Sequence, residues 1–219
     1  MPEAVLFDLD GTLADTAPDL GGALNQLLLE QGRGPLPMAK LRPHVSSGAR
    51  GMIGAGLGIT PADAAYFDLQ QRFLAIYEQA LCVGTRLFAG IAEHLDELEA
   101  RGIPWGIVTN KSQRFAIPLM QQLGLRQRCA CIVSGDSAQR SKPHGHPMQL
   151  ASAVIGIAAT DCIYVGDDER DVISGRAAGM KTIVAAWGYL GDGKPPAAWG
   201  ADAIAASPQD ILGMARASR

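Results

Sequence analysis

Nowhere does this sequence hold an apolar run long enough to cross a bilayer, which takes about 20 predominantly apolar residues, so no membrane partner is expected. Ala-Val-Leu-Phe at positions 4–7 is apolar but short. It has no basic stretch before it and runs straight into Asp8, so it reads as a first strand rather than a secretory leader. Basic clusters are missing too. The 19 Lys and Arg are scattered against 22 Asp and Glu, for a formal net charge of −3. A nucleic-acid binder needs a basic face, because neutralising phosphates supplies most of its affinity, so no such partner is expected. Cysteine is sparse: Cys82, Cys129, Cys131 and Cys162, with no C-x-x-C pair. Cys129 and Cys131 alternate along an expected strand and would share one face, but the further soft ligands of a metal site are not nearby. Buried free thiols in a reducing compartment, hence a cytoplasmic protein, are the expectation. There is no internal repeat and no low-complexity tract.

What is present is enough chain for a real core: 219 residues, 47% hydrophobic, or one large domain or two small ones. Short apolar runs recur at Ala4–Leu9, Pro104–Thr109, Ala130–Val133, Cys162–Val165, Thr182–Ala186 and Ala201–Ala205. Several are apolar throughout before ending in polar residues, which suits strands covered on both faces. Helical patterns lie between them. Ile91, Leu95 and Leu98 precede a stop at Arg101-Gly102, and Ser207-Pro208 reads as a helix start. Alternating strand and helix predicts a doubly wound, Rossmann-like α/β fold with a parallel sheet. The interval Thr16–Gly84 breaks the alternation. Leu20, Leu24, Leu27 and Leu28 form one helical stripe, Thr60-Pro61-Ala62-Asp63 opens another helix, and Tyr66, Phe73, Tyr77 and Leu81 share a face. The expectation is an α-helical cap at 16–84 inserted into a core built from 1–15 and 85–219.

Chemistry concentrates where the apolar runs end. In Phe7-Asp8-Leu9-Asp10-Gly11-Thr12 two carboxylates stand at i and i+2 beyond the first strand. In open α/β sheets ligands bind there, although an Asp-Gly turn is common in its own right. The second strand ends in Thr109-Asn110-Lys111, a hydroxyl that could serve a phosphoryl oxygen or cap a helix. Ser141-Lys142-Pro143 puts a cation in a loop. Beyond the fourth strand, Gly166-Asp167-Asp168-Glu169-Arg170-Asp171 holds four acids within five residues, which repel one another unless a cation sits among them.

In this order the four segments resemble the haloacid dehalogenase-like hydrolase superfamily: D-x-D-G-T, a hydroxyl at the second strand end, a later Lys-Pro, and G-D-x-x-x-D. The resemblance spans essentially the whole chain. It implies Asp8 as nucleophile forming an aspartyl phosphate, and Asp10 as general acid–base. It implies Mg²⁺ held by Asp8, the Asp10 backbone carbonyl and Asp167. Asp168 and Asp171 would stand behind them. Thr109, the Asn110 amide and Lys142 would bind the phosphoryl group, with Gly11 letting the backbone come close.

A cap must supply selectivity, since the core motifs read only phosphate. Ser46-Ser47-Gly48-Ala49-Arg50 suggests a guanidinium over the site for a substrate carboxylate, set up by Ser47 and Gly48, although Arg50 also reads as a surface residue opening a helix. Hinges are expected at Asp15-Thr16 and Val83-Gly84-Thr85. A closer resemblance, carried by Ala14–Leu20, Ser47–Arg50, Trp105–Lys111, Arg114–Ala116 and Gly188–Leu190, is to phosphoglycolate phosphatases. The same segments are similar to N-acetylmuramic acid 6-phosphate phosphatases. The implied substrate is a small phosphate monoester, 2-phosphoglycolate first, with N-acetylmuramic acid 6-phosphate or another sugar phosphate as the alternative. A phosphomutase and a non-catalytic binding module are the rival expectations. A metal-free dehalogenase is disfavoured, because Asp10 together with Asp167 has no task there. His144-Gly145-His146 would shape the approach of Lys142, while His44 and His94 read as surface or cap residues.

Overall fold

Every residue of the first strand is buried, and alternate side chains enter different cores. Val5 and Phe7 join one apolar cluster, Ala4 and Leu6 another, as a strand with period two must when both faces are covered. The computed structural model describes residues 2–191 and 193–217. In chain order it has β1 (Ala4–Phe7), β2 (Ala14–Asp15), α1 (Ala17–Glu30), α2 (Met38–Leu41), α3 (Gly48–Leu57), α4 (Tyr66–Gln79), β3 (Arg86–Leu87), α5 (Ile91–Ala100) and β4 (Trp105–Val108). There follow α6 (Gln113–Gln122), β5 (Cys131–Val133), α7 (His146–Ile155), β6 (Cys162–Gly166), α8 (Glu169–Ala177), β7 (Lys181–Ala185), β8 (Ala203–Ala205) and α9 (Asp210–Ala217).

Six strands form one parallel sheet in the order β5-β4-β1-β6-β7-β8. The doubly wound α/β class expected from the sequence is the one observed. The chain leaves β1 toward β4 and β5, then returns to β6 on the other side of β1. The strand order therefore reverses around β1, the place where such sheets bind ligands.

Between β2 and β3 the described chain has helices and turns only. The stripe of Leu20, Leu24, Leu27 and Leu28 is buried on α1, which packs against α3 and α4. Where hinges were expected, Ala14 pairs with Leu87 and Asp15 with Arg86 in a two-stranded antiparallel ribbon. Asp19 ties the two crossings together. Its carboxylate accepts the Gly84 amide at 2.6 Å, the Thr85 amide at 2.8 Å and the Thr85 hydroxyl at 2.6 Å.

Several local expectations are corrected. Thr60 does not cap a helix. Its amide and hydroxyl donate to the Asp63 carboxylate in a turn, and α4 begins at Tyr66. Likewise the last helix begins at Asp210, whose carboxylate accepts the Ser207 amide and hydroxyl. Cys129 lies before β5 and is only half-buried, so it does not share a strand face with Cys131. Cys82 is half-buried too.

His94 is not a surface or cap residue. It lies on α5, 1% exposed, with its ring edge-on to Phe7 at 6.1 Å and neither ring nitrogen hydrogen-bonded among the described residues. Burial pulls its pKa below the ordinary 6.5, with Glu97 raising it and Arg101 lowering it. The neutral ring is the folded form, so below pH 6.5 the unfolded chain binds a proton that the native state refuses. Stability is then fully present above that pH and falls as the pH drops through 6.5 toward the depressed native value. His94→Leu is expected to flatten the decline in Tm between pH 7 and pH 5. An unchanged slope would show that His94 is not its source.

Candidate active site

The ends of β1, β4 and β6 open onto a cleft of about 420 Å³. Its floor carries Asp8, Asp10, Thr109, Asn110, Lys142, Asp168 and Asp171; its opposite wall comes from the segment between β2 and β3, including Val45–Arg50, Phe73 and Tyr77. Four segments far apart in sequence are thus brought to one edge of the sheet.

Lys142 stands at the centre. Its buried Nζ donates to Asp171 Oδ1 at 2.7 Å, to the Tyr164 hydroxyl at 2.9 Å and to the Val108 carbonyl at 3.1 Å, and lies 2.9 Å from Asp8 Oδ1. Burial works against its charge, yet Asp171 and Asp8 outweigh it and hold the ammonium above its ordinary range. The loop that delivers it is held by Asn110. The Lys142 amide donates to Asn110 Oδ1 at 2.9 Å, and Asn110 Nδ2 donates to the Lys142 carbonyl at 3.0 Å. The sequence offered only the Asn110 backbone; its side chain is what fixes the lysine.

Asp167 has no exposed surface. Its Oδ1 accepts the Thr12 hydroxyl at 2.8 Å and its Oδ2 the Tyr189 amide at 2.9 Å. Burial first, then the charges of Asp8 and Asp171, push its pKa well up. Burial likewise lifts Asp171 to about 6, against the pull of Lys142. Asp8, Asp167 and Asp171 can each present a carboxylate oxygen within 4.8 Å of the others. Magnesium–oxygen bonds of about 2.1 Å put neighbouring ligand oxygens roughly 3–4 Å apart, so the spacing fits one hard divalent cation. Asp8 Oδ1 is buried without a hydrogen bond among the described residues, an acceptor in want of a positive partner beyond Lys142.

The remaining acids of the cluster have partners of their own. Asp168 caps α8 in a reciprocal capping box with Asp171 and pairs with Arg170 at 2.7 Å. Glu169 pairs with Lys194 at 3.0 Å. Helix capping and the pairs with Arg170 and Lys194 therefore offset part of the repulsion read from the sequence, while Asp167 and Asp171 join Asp8 in the acidic centre. Asp10 has donors of its own beyond the end of β1: its Oδ1 accepts Thr16 Oγ1 at 2.6 Å and Lys111 Nζ at 2.8 Å. Thr109 is buried, and its hydroxyl accepts the Lys111 amide at 3.1 Å. Gly11 has φ +91°, and a Cβ there would stand 2.2 Å from Asp167 Oδ2, so the glycine makes room for Asp167 and Tyr189. Arg50 is exposed at the cleft, with Ser47 and Gly48 beside it, and has no ion pair among the described residues.

Sequence reasoning gave no role to Lys111, Tyr189, Arg170 or Ser46. The Tyr189 hydroxyl accepts the Thr16 and Ala17 amides at 2.8 and 2.9 Å and donates to Asp15 at 2.9 Å. Arg170 Nη2 donates to the Ser46 carbonyl at 2.8 Å, and Ser46 Oγ lies 3.3 Å from Asp167 Oδ2. For Lys111 a signal existed: a cation three residues beyond the end of a strand that already carried a candidate phosphate ligand.

A reversal of strand order, with carboxylates and one buried lysine converging at it, gives a doubly wound α/β protein whose acidic centre suits a divalent metal. The chain belongs to the haloacid dehalogenase-like hydrolase family, whose model matches residues 5–185. It is 46% identical over 211 residues to a phosphoglycolate phosphatase of Xanthomonas campestris pv. campestris, covering 96% of this chain and 95% of that one. It is 41% identical over 210 residues to an N-acetylmuramic acid 6-phosphate phosphatase of Pseudomonas aeruginosa, covering 96% and 93%. Among solved structures, a predicted phosphoglycolate phosphatase from Haemophilus somnus superposes with a TM-score of 0.85 at 24% identity over 97% of each chain, a likeness of fold.

Proposed function

We propose that this enzyme is a cytoplasmic, Mg²⁺-dependent phosphatase that hydrolyses a small carboxylated phosphate monoester through an aspartyl phosphate on Asp8. The observation that carries the reading is the meeting of Asp8, Asp167 and Asp171 at the switch point of the sheet, with Lys142 against Asp8 and Asp171. Asp8 attacks phosphorus in line. Lys142 offsets the charge that gathers on Asp8 and the transferring group, helped by Thr109 and the Asn110 amide. Asp10 gives a proton to the departing alkoxide and later takes one from the attacking water. Asp8, the Asp10 carbonyl and Asp167 would hold Mg²⁺, which when bound neutralises phosphate charge. Asp171 keeps Lys142 aimed, and Asp168 fixes the start of α8. The helical segment 16–84 acts as a cap over the core formed by 1–15 and 85–219, and its closure excludes water.

Among carboxylated monoesters, 2-phosphoglycolate is the first reading, supported by the 46%-identical relative. The cleft gives N-acetylmuramic acid 6-phosphate a specific claim. At about 420 Å³, with Phe73, Leu74, Tyr77 and Phe115 in its wall, it has room and apolar surface beyond what a two-carbon acid uses. Phosphate release with Mg²⁺ from both compounds and from common sugar phosphates decides between them. Release from none would refute the phosphatase reading.

Arg50 reads the carboxylate from the cap, where its guanidinium can bind two oxygens at once. Arg50→Ala is expected to raise KM roughly tenfold for the carboxylated substrate and much less for p-nitrophenyl phosphate. Equal effects on the two would make Arg50 a structural residue.

A further inference from the structure

Lys111 takes no part in the chemistry set out above, yet its side chain is only 7% exposed and ends in the wall of the cleft. Its ammonium has two neighbours, one from the end of β1 and one from α4. Nζ is 2.8 Å from Asp10 Oδ1 on the core side. The ammonium also lies over the ring of Tyr77 on α4, 4.8 Å from its centroid. Tyr77 is buried, and its ring lies 5.5 Å from that of Phe115 on α6. Thr16 Oγ1 donates to the same oxygen of Asp10 at 2.6 Å. Both donors therefore hold Oδ1, and Oδ2 has no donor among the described residues.

We propose that Lys111 is a positioning residue that aims the Asp10 carboxylate, and that the ring of Tyr77 makes this aim depend on α4 lying over the site. The inference rests on Asp10 serving as the acid in phosphate ester hydrolysis. A flexible ammonium alone would orient nothing; a carboxylate and an aromatic ring that both contact it fix where its charge sits. With Oδ1 held at two points, Oδ2 is left to meet the oxygen of the leaving group. When α4 lifts away, Lys111 loses its ring and meets water, and Asp10 loses one of its two holds.

The test compares kcat/KM for an alkyl phosphate without a carboxylate, β-glycerophosphate, with that for p-nitrophenyl phosphate. An alkoxide needs a proton to leave, whereas nitrophenolate does not. Because kcat/KM covers only the steps through departure of the alcohol, breakdown of the phosphoenzyme does not blur the comparison. Lys111→Met is expected to cost the alkyl ester at least about tenfold more than the aryl ester. Tyr77→Leu shifts the ratio in the same direction by less, and the double variant is no worse than Lys111→Met, since the two act as a unit. If Lys111→Met fails to fold, Tyr77→Leu carries the comparison. Equal losses on both esters, or losses that simply add, would overturn the proposal while leaving the phosphatase reading intact. A wild-type enzyme that releases phosphate neither from these two esters nor from the carboxylated monoesters and sugar phosphates would bring down both.

Discussion

Asp8→Asn is expected to lower phosphate release by at least roughly 10⁴-fold, the scale on which removal of a nucleophile acts, without harm to the fold. The amide keeps the shape of the carboxylate but has no charge with which to attack phosphorus. The fold should tolerate the change for an electrostatic reason. Asp8, Asp167 and Asp171 crowd within 4.8 Å of one another, and Lys142 is the only cation touching that group among the described residues. Burial and the neighbouring acids already push the pKa of Asp167 well up. Removing one negative charge relieves that repulsion, so without metal the variant should melt no lower than the wild type. A loss of activity accompanied by a lower Tm would point to damage instead, and retained turnover in a folded variant would take Asp8 out of its role.

Removing the divalent ion should be nearly as costly. Chelation is expected to reduce turnover by at least about 10³-fold, since a bound metal contributes several kcal/mol to stabilising phosphoryl charge, and added Mg²⁺ should restore it. The same ion should stabilise the fold. A ligand at about 100 times its Kd adds roughly 2.7 kcal/mol, on the order of 5–10 °C in Tm for a chain of this size. Asp167→Asn separates the metal from general salt effects. It keeps the Thr12 and Tyr189 contacts within reach of its side chain but removes an anionic ligand. The Tm gain from Mg²⁺ should vanish along with activity. An Asp167→Asn enzyme that still gains stability and rate from Mg²⁺ would place the metal elsewhere.

The sheet was legible because its chemistry is local. All six core strands were visible as apolar runs; for the inner ones, a strand buried on both faces cannot hide polar residues. The helical stripe of α1 was visible through its period. What stayed hidden depends on partners far away in the chain. The β2–β3 ribbon has two residues in each strand, too few for any pattern, and exists because Asp19 and Tyr189 hold its ends. His94 is polar and looked exposed, yet α5 turns it onto Phe7, 87 residues away in sequence, where no neighbour could announce it.

The candidate site divides in the same way. Asp8, Asp10, Thr109, Lys142, Asp167 and Asp171 stood at strand ends or in a loop where ligands gather, so residue type and order were enough to bring them forward. The Asn110 side chain, Lys111 and Tyr189 act by clamping those residues. Asn110 grips the backbone of Lys142 32 positions later, and Tyr189 reaches Thr16 from 173 positions away. Such contacts leave no spacing in a sequence. Arg50 stands between the two cases: its position at the cleft was anticipated, while its contact with a substrate awaits the kinetic comparison.

A crystal structure grown with Mg²⁺ and beryllofluoride, which mimics a phosphoryl group on a carboxylate, tests the central claim most directly. The expected result is beryllium bonded to an Asp8 oxygen, beside a metal ion about 2.1 Å from oxygens of Asp8 and Asp167. A bare Asp8 facing a metal ion that Asp167 does not touch would contradict it.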